Sequence, residues 1–201
     1  MLNIGLSGGT GSGKSLVAEI IRRYGIPVYD TDVRAKYLMV KDSTIRYQLI
    51  EHFGTSIFVR GELNRALLAE RIFSSIEDRT FVNSIVHHQV FKDFRNTTKT
   101  GSSPIIFVES AILFSSGFAS FMHKIVCVQA PADLRIKRVM ERDKITEAQA
   151  LARMATQQAD QLAEGDADYL IINDNHHLLV PQVQDLLERL QSFAHKYAAN
   201  L

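Results

Sequence analysis

The chain reads as an α/β protein with a central parallel sheet and helices packed on it. Three observations carry that prediction. An alternating strand, Leu2, Ile4, Leu6, runs directly into a glycine-rich loop and then into an amphipathic helix. Two later apolar runs, 104–108 and 124–129, are continuous rather than alternating, as strands covered on both faces are. Segments of helical periodicity separate the strands, and parallel neighbours need such crossovers.

The glycine-rich loop is the most informative stretch. Gly8, Gly9, Thr10, Gly11, Ser12, Gly13, Lys14 and Ser15 spell Gly-x-x-x-x-Gly-Lys-Ser, the P-loop pattern. Phosphate oxygens need several donors at once, and a loop poor in Cβ atoms lets backbone N–H groups approach them. The following helix adds its positive N-terminal end. Lys14 can reach the terminal phosphates, and the Ser15 hydroxyl can ligate Mg²⁺. Leu16, Val17, Ile20, Ile21 and Tyr24 continue at helical spacing, with Gly25 as a stop and Pro27 beyond it.

Ile26–Tyr29 reads as a second strand ending at Asp30-Thr31-Asp32. Carboxylates at a strand's carboxyl end sit where ligands bind in open α/β sheets. They can accept a proton from an attacking hydroxyl or hold a metal-bound water; capping of a helix over 33–40 is the alternative. Helices are expected over 43–53, closed by Gly54, and after Asn64, with Leu67, Leu68, Ile72 and Phe73. Another is expected over about 77–95, with 96–103 a polar loop. Glu109 follows a buried strand and is a candidate metal or water-positioning acid, with a structural role equally open.

Helix 132–143 carries Arg135, Arg138 and Arg142 at i, i+3 and i+7, and Thr146-x-x-Gln149 is a capping box for a helix bearing Arg153. Paired helices with arginines suit a lid over phosphates, because planar guanidiniums clamp phosphoryl oxygens bidentately; a solvated charged face is the alternative. A last strand, 169–172, ends at Asn173-Asp174-Asn175, which is either an adenine-side contact or a plain turn. The final helix packs on one face through Val183, Leu186, Leu187 and Leu190.

A net charge of +1 points to neither nucleic acid nor a membrane surface. No apolar run approaches the ~20 residues of a spanning helix. One cysteine, Cys127, excludes an internal disulfide framework, and its apolar run reads as core. No signal peptide is read, since Lys14 and polar loop residues interrupt the N-terminus, so a cytoplasmic location is expected.

Taken in order, these segments resemble the dephospho-CoA kinase family over nearly the full length. Ile4–Ser15 resembles its P-loop, and Tyr29–Lys36 its Asp-x-Asp segment. Gly61-x-Leu63-x-Arg65 and Asn83-x-Ile85-x-His87 are similar to its acceptor side. Arg138-x-x-x-Arg142-Asp143 and Arg153-Met154-x-x-Gln157 are similar to its lid, and Ala167–Asn173 to its last strand. The resemblance implies a P-loop NTPase three-layer sandwich. Its core would comprise 1–32, 103–134 and 164–201, its helical acceptor insertion 33–102, and its lid 135–163. It implies ATP as co-substrate with Mg²⁺, dephospho-CoA as acceptor, no nucleic acid or membrane partner, and a monomer or small homo-oligomer. Asp32 is then the base, with Lys14 and Arg142 the other catalytic groups. Gly8 to Leu16, Arg138, Arg142 and Asn173 would bind the nucleotide, and Ser15 the metal. Asp32, Lys36, Arg65, His87 and Glu109 would face the acceptor. The chain departs from the family pattern at Leu16 (Ser/Thr), Lys36 (Arg), His88 (Pro), Ser115 (an acid) and Arg135 (Gln). Two other readings stand beside it: another small-molecule P-loop kinase, and a nucleotide-binding regulator without turnover.

Overall fold

A computed structural model describes residues 1–155 and 167–198. It resolves into two compact units, Met1–Asp30 with Ser102–Leu201, and Thr31–Gly101.

The first unit is built on five parallel strands in the order β2-β5-β1-β6-β7. These are β1 (Leu2–Ser7), β2 (Val28–Asp30), β5 (Ile105–Glu109), β6 (Lys124–Gln129) and β7 (Tyr169–Ile172). The strand that feeds the glycine loop is therefore central, with β5 on one side and β6 on the other. Leu2, Ile4 and Leu6 project from one face of β1 and are buried against α1 (Lys14–Arg23) and α8 (Leu179–Ala198). Val17, Ala18 and Ile21 come from α1, and Val183, Leu186, Leu187 and Leu190 from α8. On the opposite face Gly5 leaves room for other side chains: a Cβ there would lie 2.7 Å from Leu113 Cδ2. Every residue of β5 is buried, which explains its unbroken apolar run. α6 (Ala132–Asp143) and α7 (Glu147–Ala155) follow β6. The capping box forms as read: Thr146 N–H donates to Gln149 Oε1 at 2.9 Å, and Gln149 N–H to Thr146 Oγ1 at 3.4 Å.

The second unit packs α2 (Thr31–Lys41), α3 (Ser43–Phe53) and α4 (Arg65–Ser74) on the long α5 (Ile76–Thr100). Asp42 caps α3 through the Ile45 N–H, Gly54 ends it at φ 81°, and Asn64 caps α4 through the Leu67 N–H. One expectation is corrected, and two features lie outside what was read. Residues 96–100 are helical rather than a loop: Thr97, Thr98 and Thr100 donate their hydroxyls to the carbonyls of Asp93, Arg95 and Asn96, so a polar run stays inside the helix. Phe73, read with Leu67, Leu68 and Ile72 among the apolar residues of its helix, is 93% exposed. It lies five residues past buried Leu68, about 140° round the helix at 100° per residue. Strands β3 (Phe58–Val59) and β4 (Glu62–Leu63) were not read at all; they form a hairpin through Arg60 and Gly61, both at positive φ.

Among the described residues no helix is long and apolar enough to cross a membrane.

Candidate active site

The loop after β1 enters α1 through Gly13, the N-cap, at φ 96° and ψ 24°. That left-handed conformation favours glycine, and a Cβ at Gly13 would also meet Asn173 Nδ2 at 2.1 Å. The first turn of α1 carries no acidic side chain and no side-chain cap. With no carboxylate in that turn, the positive N-terminal end of the helix favours an anion. Lys14 folds back over the loop, with Nζ 2.5 Å from the Gly8 carbonyl and 3.3 Å from that of Gly9.

Ser15, the next residue, donates its hydroxyl to Glu109 Oε1 at 2.7 Å. Glu109 is 7% exposed at the end of β5, opposite Leu6 of β1 on one side and Asp30 of β2 on the other. Burial pushes its carboxyl above the ordinary glutamate range; the Ser15 hydrogen bond opposes this, and the Asp30 charge adds to it. Arg22 stands 3.9 Å from its second oxygen. A hydroxyl beside a buried carboxylate, with Asp30 adjacent, is an oxygen set that fits Mg²⁺. That ion needs few protein ligands when phosphates and waters complete its shell.

The arginines of α6 divide between two tasks. Arg135 Nε donates to the Thr10 carbonyl at 3.0 Å. Arg138 donates to the carbonyl of Gly11 and to both oxygens of Asn173, and reaches Asn175 Oδ1 at 2.7 Å. Arg142 instead forks onto Asp143, with both bonds at 2.8 Å, and Arg153 of α7 reaches the same carboxylate. These bonds hold the Asp143 carboxyl below the usual aspartate range, that from Arg142 first.

Asn173 is 6% exposed, and both ends of its amide are engaged, Nδ2 on the Ser12 carbonyl at 2.7 Å and Oδ1 by Arg138. Leu16, half-exposed on α1, lines a cavity of about 550 Å³ together with Asn173, Asn175, His176 and Leu178.

The remaining candidates lie in the second unit. Asp32 is exposed in the first turn of α2, two residues beyond Asp30, and Lys36 is exposed one turn later. Arg34 forks onto Asp93 of α5 at 2.9 and 2.7 Å and stacks over Tyr37. Arg65 opens α4 and is exposed; His87 is half-buried on α5, where burial lowers its pKa. The lid expected over 135–163 passes beyond the described residues after Ala155, which also leaves out Gln157, and residues 164–166 and 199–201 of the expected core lie outside them too.

Two features of the site had no signal in the sequence. One is the role of Asp143 as a shared anchor for two arginines. The other is the grip of Arg135 on the loop 125 positions earlier.

A parallel sheet whose central strand ends in a lysine-bearing glycine loop, with a hydroxyl and a buried acid beside it, belongs to the P-loop class of nucleotide-binding folds. The sequence model described as dephospho-CoA kinase matches residues 2–178. The chain is 42% identical over 193 residues to the dephospho-CoA kinase of Porphyromonas gingivalis, covering 96% of each protein. Among solved structures it is similar to TT1252 from Thermus thermophilus, with TM-score 0.76, 27% identity, and 95% and 96% of the two chains covered. It also shares its fold with the dephospho-CoA kinase from Campylobacter jejuni, with TM-score 0.65, 20% identity, and 97% and 98% covered. The chain belongs to the dephospho-CoA kinase family.

Proposed function

We propose that the protein transfers the γ-phosphoryl group of ATP to the ribose 3′-hydroxyl of dephospho-CoA, giving CoA and ADP. Family membership supports the reaction, and the observation that carries it in this chain is the cradle: Gly8 to Ser15, Lys14 over the loop, and the Ser15–Glu109 bond at 2.7 Å. The loop N–H groups and the α1 N-terminus bind the triphosphate. Ser15 and Glu109 would hold Mg²⁺, which would supply charge neutralisation for the transferred phosphoryl group. Asp32 orients the acceptor hydroxyl and takes its proton; chain length alone keeps it within about 7 Å of Asp30. Arg142, with Arg153, leaves Asp143 to stabilise the moving phosphoryl group, and Arg138 and Asn173 flank the base. Lys36, Arg65 and His87 contact the acceptor. The residues 33–102 serve as acceptor domain and 135–163 as lid. The reaction belongs in the cytoplasm, on a monomer or small homo-oligomer, with no nucleic-acid or membrane partner.

The test is coupled ADP release by the purified protein with Mg-ATP and dephospho-CoA, with CoA identified by mass. ADP release stoichiometric with CoA is expected. Release no faster with dephospho-CoA than without it, or a faster rate with a nucleoside or nucleoside monophosphate, would overturn the assignment.

A further inference from the structure

Every carbonyl from Gly8 to Ser12 is met by a side-chain donor. Lys14 takes those of Gly8 and Gly9, Arg135 that of Thr10, Arg138 that of Gly11, and Asn173 that of Ser12. A trans peptide is planar, so a carbonyl and the N–H of the next residue point in opposite directions. Drawing the Thr10 carbonyl toward α6 therefore turns the Gly11 N–H away from α6. Drawing the Ser12 carbonyl toward the end of β7 turns the Gly13 N–H away from β7. Gripping the carbonyls from outside is thus a way to aim the N–H groups at an anion.

Arg135 has more contact with the loop than its one bond. A Cβ on Gly9 would lie 2.1 Å from Arg135 Nη2, and a Cβ on Gly11 would lie 2.5 Å from the Arg135 carbonyl. Nη2 is buried without an acceptor, and so is the hydroxyl of Ser12, which is 1% exposed. Both residues line a cavity of about 380 Å³ with Gly8 and Gly9. A buried donor without an acceptor is a cost that native proteins rarely carry. A guanidinium chosen only to fill space would be poorly placed here.

We infer that Arg135 is a positioning residue of the phosphate loop: by holding the Thr10 carbonyl and backing Gly9, it aims the loop's N–H groups and raises affinity for the polyphosphate chain of the nucleotide. Its contacts described above are with the loop backbone. The inference rests on the reading that this loop binds ATP.

The experiment uses the full chain and four variants: Arg135→Leu, Arg135→Gln, Gly9→Ala, and the double variant Gly9→Ala/Arg135→Leu. Calorimetry measures binding of Mg-ATP and of inorganic tripolyphosphate, alongside KM for dephospho-CoA, kcat and Tm. Arg135→Leu should weaken both polyphosphate ligands about tenfold, the worth of one net hydrogen bond, with Tm and the acceptor KM unchanged. Arg135→Gln keeps an N–H donor and should recover most of the loss. Gly9→Ala displaces the guanidinium and should weaken binding similarly, and the double variant should bind no worse than either single one. Unchanged tripolyphosphate affinity in Arg135→Leu would overturn the inference, as would full additivity in the double variant or a loss that tracks a fall in Tm. If Arg135→Leu does not fold, Arg135→Gln and Gly9→Ala decide it, and equal affinity of parent and Gly9→Ala overturns it. Binding is read without turnover, so a parent that binds Mg-ATP but makes no CoA overturns only the proposed reaction.

Discussion

Ser15, the second residue of α1, and Glu109, the last of β5, are 94 positions apart and meet at 2.7 Å. Parallel pairing of β1 with β5 brings them together. The register sets Leu6 opposite Glu109, so one strand ends in the acid just where its neighbour turns into the loop. The meeting sets a hydroxyl and a carboxylate side by side at the start of α1.

Glu109→Gln separates stability from activity. The Glu109 carboxyl is raised by burial. Between the unfolded and folded pKa values the native state binds the extra proton, so stability falls as pH rises through that window and the penalty persists above it. Glu109→Gln should therefore raise Tm at pH 7, and the gain should shrink as pH falls through the folded and then the unfolded pKa, vanishing at about pH 3, where the parent carboxyl is protonated in both states. kcat should fall about 10²–10³-fold, as for loss of one preorganised group around a developing charge. Thermal melts across pH, with steady-state kinetics at pH 7, check both halves; a variant less stable than the parent at neutral pH would contradict the first.

Asp32→Asn keeps the size and one acceptor oxygen but cannot take a proton. It is exposed in the first turn of α2, and Tm measured alongside separates any change in stability from the change in rate. kcat should drop about 10²–10⁴-fold, the usual worth of a general base, while the Kd for Mg-ATP stays within twofold of the parent, roughly the error of the measurement. Single-turnover rates with saturating ATP read the effect directly. A near-parent rate removes Asp32 from proton transfer.

Much of the first unit was legible because its signals are local. Lys124–Gln129, Ala132–Asp143 and Tyr169–Ile172 have the boundaries their periodicity and flanking residues predict. In the second unit, Gly54 ends α3 as its conformational freedom predicts. The cradle was legible too, since a phosphate loop is written in eight consecutive residues. What escaped depends on partners distant in sequence or on competing local bonds. The threonines after Asn96 look like a loop until their hydroxyls are seen bonded within the helix. Arg135, Arg138 and Arg142 share a spacing that says nothing of their acceptors. Two reach the loop and one turns to its neighbour Asp143, a split made only when β6 and β1 are paired.

Arg142→Lys tests whether that third arginine works by charge or by shape. Arg142 already makes a two-pronged bond to Asp143, the geometry it would transfer to a phosphoryl group. Lysine keeps the charge and loses the planar fork. kcat should fall at least about tenfold, with less change in the KM for ATP, because the fork matters most where charge develops. Full activity in Arg142→Lys would show that a point charge suffices.

Arg34→Ala addresses the second unit by itself. The guanidinium joins α2 to α5 through two bonds to Asp93, with about a third of the arginine side chain exposed. Bidentate geometry places such a pair at the upper end of surface ion pairs, and partial exposure discounts it, leaving about 1 kcal/mol. For a chain of this length that lowers Tm by about 2–4 °C. Salt should shrink the difference between parent and variant, since an exposed pair is screened within a Debye length of about 8–10 Å. Mg-ATP binding should not change, because Arg34 belongs to neither the loop nor its carbonyl donors. Melts at low and high salt, with calorimetry for Mg-ATP, distinguish this from a direct role of Arg34 in place of the arginine usual at Lys36. In that case ATP-dependent turnover would fall while Tm held.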